Sequence, residues 1–196
     1  MEIEYNKRKP IICKFPFSGV TINPDGNMVP CCGSAHVKLG HISKEKSLTD
    51  FINGESQGLI RDEFKKGKWP SPCFTCKSNR EKGRPALVDS MGELLPWSDD
   101  NFRKDKYDVK YLEFTPSNAC NASCVTCGSK FSSKWMAMDK EAVEQGLGFR
   151  EKGTRFAKNN YSMTDEDYDK ILQIVPSVEN LMLKGGEPFA DKRNLK

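Results

Sequence analysis

Histidine is nearly missing from this chain: His36 and His41 are the only two in 196 residues. Either could complete a metal site, but loop histidines more often face solvent or are satisfied in a core, so neither is given a role. Long hydrophobic runs are missing too. None reaches the roughly 18 residues of a membrane-spanning helix. The opening Met1-Glu2-Ile3-Glu4-Tyr5-Asn6-Lys7-Arg8-Lys9-Pro10 lacks the apolar core of a signal peptide. Those two absences predict a cytoplasmic location with no membrane partner. Nor does one charge dominate. Lys and Arg number 31 against 27 Asp and Glu, a formal net charge of +4. The basic clusters Lys65-Lys66-Lys68 and Lys77-Arg80-Lys82-Arg84 are interleaved with acids and read as solvated faces, which argues against a nucleic-acid partner. A hydrophobic fraction of 37% beside 30% charged residues predicts a soluble chain with a modest core, in one domain or two small ones.

Cysteine, by contrast, is plentiful. All eight cysteines fall in groups: Cys13 with Cys31 and Cys32, then Cys73 with Cys76, then Cys120, Cys124 and Cys127. In a reducing compartment such grouping points to metal and not to disulfides. The last group has the spacing C-x3-C-x2-C and follows Val109-Lys110-Tyr111-Leu112-Glu113-Phe114-Thr115, an alternating run of strand formers ended by Pro116. Three thiols on a loop leaving the C-terminal end of a strand lie where ligand sites gather in α/β folds. Three thiolates can hold an iron–sulfur cluster while leaving one iron open. A structural site would normally close with a fourth ligand.

This spacing resembles the cluster loop of radical S-adenosylmethionine (SAM) enzymes, in which the open iron binds SAM. A second segment carries the same resemblance. Asn180-Leu181-Met182-Leu183-Lys184 reads as a strand running into Gly185-Gly186-Glu187-Pro188. The latter resembles the family's GGEP segment, which receives the amino group of SAM. Glycines let a ligand approach the backbone, and a carboxylate suits an ammonium. Thr126 departs from the pattern, since the family usually has an aromatic residue before its third cysteine.

The first module has its own resemblance. Val20-Thr21-Ile22 and Met28-Val29 flank Asn23-Pro24-Asp25-Gly26-Asn27, a hairpin signal with Gly26 able to take positive φ. Helices are expected from Ser47 to Ile52, capped by Ser47, and from Gln57 to Lys66, burying Leu59, Ile60 and Phe64. The order of Cys13, Pro30-Cys31-Cys32, Leu39-Gly40-His41-Ile42 and Cys73-x2-Cys76 resembles the twitch domain, the short form of the SPASM domain. That resemblance implies an auxiliary cluster held by Cys13, Cys31, Cys73 and Cys76, with Cys32 able to replace Cys31. The module usually follows the barrel, and here it precedes it.

The expected division is a twitch-like iron–sulfur domain over residues 1–85, a linker over 86–108 with one docked turn around Leu94, Leu95 and Trp97, and the N-terminal part of a radical SAM core over 109–196. Within the core, Phe131, Trp135 and Met138 mark one apolar helix face. Residues 149–163 read as an irregular insertion. A helix opened by Thr164 should bury Tyr168, Ile171, Leu172 and Val175. The fold class that the resemblance implies is α/β: the start of a partial (β/α)6 TIM-like barrel preceded by a small cysteine-rich α+β domain. Only the first barrel unit and its second strand are in the sequence, so it reads as a fragment that would not turn over alone.

The resemblance implies radical chemistry on SAM, two four-iron clusters, a peptide or protein substrate, and an electron donor such as flavodoxin or ferredoxin. Gly185, Gly186 and Glu187 would contact SAM. No residue identifies a catalytic acid or base. The rival reading is a zinc-stabilised binding module for nucleic acid or protein, which would leave Gly185-Gly186-Glu187 without a purpose.

Overall fold

The computed structural model describes residues 13–94, 104–147 and 160–195. Its centre is one mixed five-stranded sheet in the order β3-β2-β1-β4-β5. The hairpin supplies β1 (Gly19–Ile22) and β2 (Asn27–Val29), with Gly26 at φ +72° in its turn. A two-residue β3 (Gly40–His41) pairs antiparallel with β2. The strand before the cysteine triplet is β4 (Tyr111–Phe114), and β5 (Asn180–Leu183) precedes the glycine pair. Both neighbours of β4 run parallel to it: β1 in the register Thr21 to Glu113, and β5 in the register Glu113 to Met182. The 1–85 and 109–196 segments therefore share one sheet, with three strands from the first and two from the second.

One sheet face carries the main core. Val20, Ile22, Leu112 and Phe114 pack against Phe51 and Ile52 of α2 (Leu48–Asn53) and Tyr168, Ile171 and Ile174 of α7 (Asp165–Ile174). Each fully buried side chain of this kind contributes about 1.5–3 kcal/mol. Both helices start where their caps dictate: Ser47 accepts from Asp50 N–H and Thr164 from Asp167 N–H. Lys170 reaches across from α7 to donate to the Ile42 carbonyl at 3.1 Å while paired with Asp167, joining the two segments again. The opposite face carries a smaller cluster, Phe15, Met91 and Tyr111, with Cys13, Cys31 and Leu87 packed against it. The sheet thus separates an ordinary core from a cysteine-lined one.

Several expected faces are rotated. Leu59 is exposed on α3 (Glu55–Lys65), whereas Ile60 and Phe64 are buried as expected, together with Gln57 and Arg61. Arg61 earns that place by donating to the Pro16 carbonyl at 3.0 Å and stacking 4.7 Å from the Tyr107 ring. Leu172 on α7 and Val175 just past its end are exposed, and Ile174 is buried, the neighbour of Tyr168 and Ile171 on a 3.6-residue period. Met138 is exposed as well. Ser132 caps α6 (Ser133–Glu144), so Phe131 precedes the helix and Asp139 is its buried residue.

The expected linker contains a helix, α5 (Leu87–Leu94), with Val88 and Met91 buried. Leu95 and Trp97 lie outside the described residues, as do 149–159 of the expected insertion. Among the described residues no helix is long and apolar enough to cross a membrane.

Candidate functional site: two cysteine centres on one sheet

Cys13 enters just before α1 (Phe15–Ser18), whose Phe15 and Phe17 are buried. Cys31 follows β2 and Pro30 in extended backbone and leads into a tight turn over Cys32–Ser34. Cys73 ends a second tight turn, Ser71–Cys73, and Cys76 sits in the first turn of α4 (Phe74–Glu81). The two turns are tied together: Ser34 Oγ donates to the Pro72 carbonyl, and Thr75 Oγ1 to the Gly33 carbonyl at 3.5 Å. As a result Cys13, Cys31, Cys73 and Cys76 line a single pocket. Its other walls are largely apolar, including Phe15, Phe64, Trp69 and Leu87.

Such a pocket resists free thiolates. Burial pushes the Cys13 thiol far up, and the nearby Cys31, Cys73 and Cys76 raise it further against a lowering bond from the Phe15 backbone. Burial raises Cys31 too, and it pushes Cys73 up to about 12, aided by Cys31 and Cys76. Four ionised sulfurs here need positive charge of their own, which bound iron would supply. Among the described residues no three His, Cys, Asp or Glu side chains converge as one metal ion requires. A four-iron cluster takes one thiolate on each of its four irons. Four thiols lining one pocket fit such a cluster as a donor set.

Cys32 faces elsewhere. It does not line the pocket; burial pushes its thiol up to about 11, with Glu113 and Cys31 raising it and Lys184 lowering it. Residues 13–77 match the SPASM iron–sulfur cluster-binding domain. The match takes in about a third of the chain and includes five of the cysteines. No curated protein and no solved structure matches the chain. Iron–sulfur binding by the SPASM segment is therefore supported by both its sequence and the ring of thiols.

The second centre is the loop after β4. Its backbone is held by the start of α6. Cys120 N–H donates to Ser133 Oγ at 3.1 Å, and Ser133 Oγ donates back to the Cys120 carbonyl. Ser132 Oγ donates to the Ala122 carbonyl at 2.8 Å, and Trp135 Nε1 to the Cys124 carbonyl at 2.8 Å. Cys127 N–H closes a turn onto the Cys124 carbonyl at 2.9 Å. Cys124 and Val125 are exposed, and Cys120 and Cys127 half-buried.

The glycine segment packs directly on this loop. Glu187 N–H donates to the Ala119 carbonyl at 2.8 Å. A Cβ added at Gly186 would stand 2.3 Å from Ala119 O and 2.7 Å from Cys120 Cβ. Gly185 has φ +153° and lies against Ser117 O, where a Cβ would stand 3.0 Å away. Only glycine allows that approach. The Glu187 carboxylate is exposed and accepts from the nearby Phe189 N–H at 3.3 Å.

Sequence reasoning passed over Ser132 and Ser133 and assigned Trp135 to an apolar helix face, yet all three bind the triplet loop. A Ser-Ser pair followed by a helical pattern is a legible cap signal. It also passed over Glu113, which is 3% exposed and paired with Lys184, the residue just before the glycines. One Glu113 oxygen and the Thr21 hydroxyl beside it are buried without a partner among the described residues.

Proposed function

We propose that this chain is a radical SAM enzyme with two iron–sulfur clusters, the second held in its SPASM segment. Cys120, Cys124 and Cys127 would hold the cluster that takes SAM, and Cys13, Cys31, Cys73 and Cys76 the auxiliary one. When bound and reduced, the first cluster supplies the electron that cleaves SAM to methionine and a 5′-deoxyadenosyl radical. The chain's own residues have narrower tasks. Ser132, Ser133 and Trp135 fix the backbone of the cysteine loop by four hydrogen bonds. Gly185 and Gly186 bring the Glu187 carboxylate beside that loop, where it suits the ammonium of SAM. Ring-forming thiols in the SPASM segment close every protein-ligand position of the auxiliary cluster, leaving SAM one site only.

The observation that carries this reading is the packing of Gly186 onto Ala119 and Cys120. Two segments separated by a helix-bearing stretch of sequence meet at the ends of adjacent parallel strands, as SAM recognition requires. The pairing of β4 with β5, each followed by its own ligand loop, suits the opening of a partial (β/α)6 barrel, and we extend the reading to that fold. A peptide or protein substrate, a cytoplasmic location and a small electron-transfer protein as reductant complete the proposal.

Adding SAM to the anaerobically reconstituted protein tests it. The expected result is a change in the cluster's electron paramagnetic resonance spectrum that disappears when Cys120, Cys124 and Cys127 are replaced by alanine. A SAM-induced change that survives this replacement would overturn the assignment.

A further inference from the structure

Helix α5 lies beyond the residues that match the SPASM domain, yet Leu87, Val88 and Met91 line the pocket of the four cysteines. Val88 and Met91 are buried, and Met91 packs with Phe15 and Tyr111 in the cluster that touches Cys13 and Cys31. A Cβ on Gly33 would stand 3.4 Å from Leu87 Cδ2, so the helix rests on the turn that follows Cys31. One ion pair fastens it there. Arg80 lies one helical turn after Cys76 on α4 and pairs with Asp89 of α5. The other Asp89 oxygen accepts from Ala86 N–H at 2.9 Å, holding the first turn of the helix. The Arg80 side chain is only 9% exposed, so losing Asp89 would leave a guanidinium buried and uncompensated.

We propose that α5 is the wall that seals the SPASM cysteine site from solvent, and that the Arg80–Asp89 pair sets how often this wall opens. The inference rests on the reading that Cys13, Cys31, Cys73 and Cys76 hold an iron–sulfur cluster. With α5 lifted, the pocket loses three of its apolar walls and the sulfurs face water. A short helix held by three side chains and one ion pair opens at far lower cost than the whole fold. Loss of iron from this site therefore proceeds through opening of α5, and its rate measures how firmly the helix is attached.

The test uses the full chain with Cys120→Ala, Cys124→Ala and Cys127→Ala, reconstituted anaerobically with iron and sulfide, so that one site remains. Transfer of iron to an excess of a ferrous chelator is followed by absorbance. Asp89→Asn and Met91→Ala should each accelerate iron loss about tenfold, the shift in an opening equilibrium for each 1.4 kcal/mol removed. Asp89→Glu, which keeps the charge, should stay within about threefold of the parent. If Asp89→Asn does not fold, as judged by circular dichroism, Leu87→Ala carries the test, since it removes pocket lining and leaves the ion pair intact. A parent that binds no iron overturns the cluster reading and this inference with it. A parent that binds iron, with variants losing it at the parent's rate, overturns this inference alone.

Discussion

Replacing Gly186 by alanine should disable the triplet centre while leaving the SPASM centre intact. The added Cβ would stand 2.3 Å from the Ala119 carbonyl oxygen and 2.7 Å from Cys120 Cβ. An ordinary carbon–oxygen contact is about 3.3 Å, so the two backbones must part by roughly 1 Å. Neither obstacle is a flexible side-chain end. Overpacking of this kind costs about 1–3 kcal/mol, and losing the Glu187 N–H bond to Ala119 adds about 1 kcal/mol. Displacement by about an ångström at a ligand-positioning segment costs on the order of a hundredfold. Titration of SAM against the reconstituted protein, read by the spectral change of the triplet cluster, should show an affinity about a hundredfold weaker. Gly67→Ala is the control. Gly67, unlike Gly186, sits at positive φ, +71°, and nothing lies within 4 Å of its added Cβ. It should cost about 1–2 kcal/mol of stability from the left-handed backbone alone and leave the SAM response unchanged. A Gly186→Ala protein that is less stable yet responds to SAM within about threefold of the parent would refute the reasoning, because the close approach would then serve packing alone.

Other perturbations separate the residues further. Cys31→Ser should lower iron at the SPASM site, whereas Cys32→Ser should not, because Cys31 lines the pocket and Cys32 faces Glu113 and Lys184; iron analysis of the two variants in parallel decides it. Ser133→Ala removes both bonds to Cys120, at about 1 kcal/mol each, and should hasten loss of the triplet cluster while lowering the melting temperature by about 4–8 °C. The Arg193 hydrogen bond holds the Asp191 carboxyl below its usual value, outweighing the opposing effect of burial. A depressed carboxylate gives stability that is full above its unfolded pKa and is lost as pH falls through the folded one. Asp191→Asn should therefore flatten the acid limb of a stability–pH curve below the usual carboxylate range and leave its neutral region parallel to the parent's.

Much of this was legible, and what was not has a common cause. The Asp25-Gly26 turn, the Ser47 and Thr164 caps and the strands around Leu112 and Leu181 are local signals, and each element forms where its residues indicate. The grouping of cysteines was equally open to reading. Pairing of β1 with β4 was not, since a parallel neighbour 92 positions away leaves no mark on either strand. That pairing puts the SPASM hairpin and the triplet strand into one sheet, and it buries Glu113 on a face that alternation alone assigns to solvent. Trp135 and Met138 mislead for a related reason. Apolar period fixes a face only once the start of the helix is known, and here Ser132 starts α6 so that Trp135 turns to the Cys124 carbonyl. Helix α5 hides in a charged, proline-bearing stretch, and its worth lies in a pocket made by residues far earlier in the chain.

The most direct test of two cluster sites is the iron and acid-labile sulfide content of the anaerobically reconstituted chain, measured together with zinc. Two four-iron clusters predict about eight irons and as many sulfides per chain. Alanine at Cys120, Cys124 and Cys127 should then halve both. Stoichiometric zinc with no sulfide, or iron that does not fall when the triplet is removed, would contradict the account.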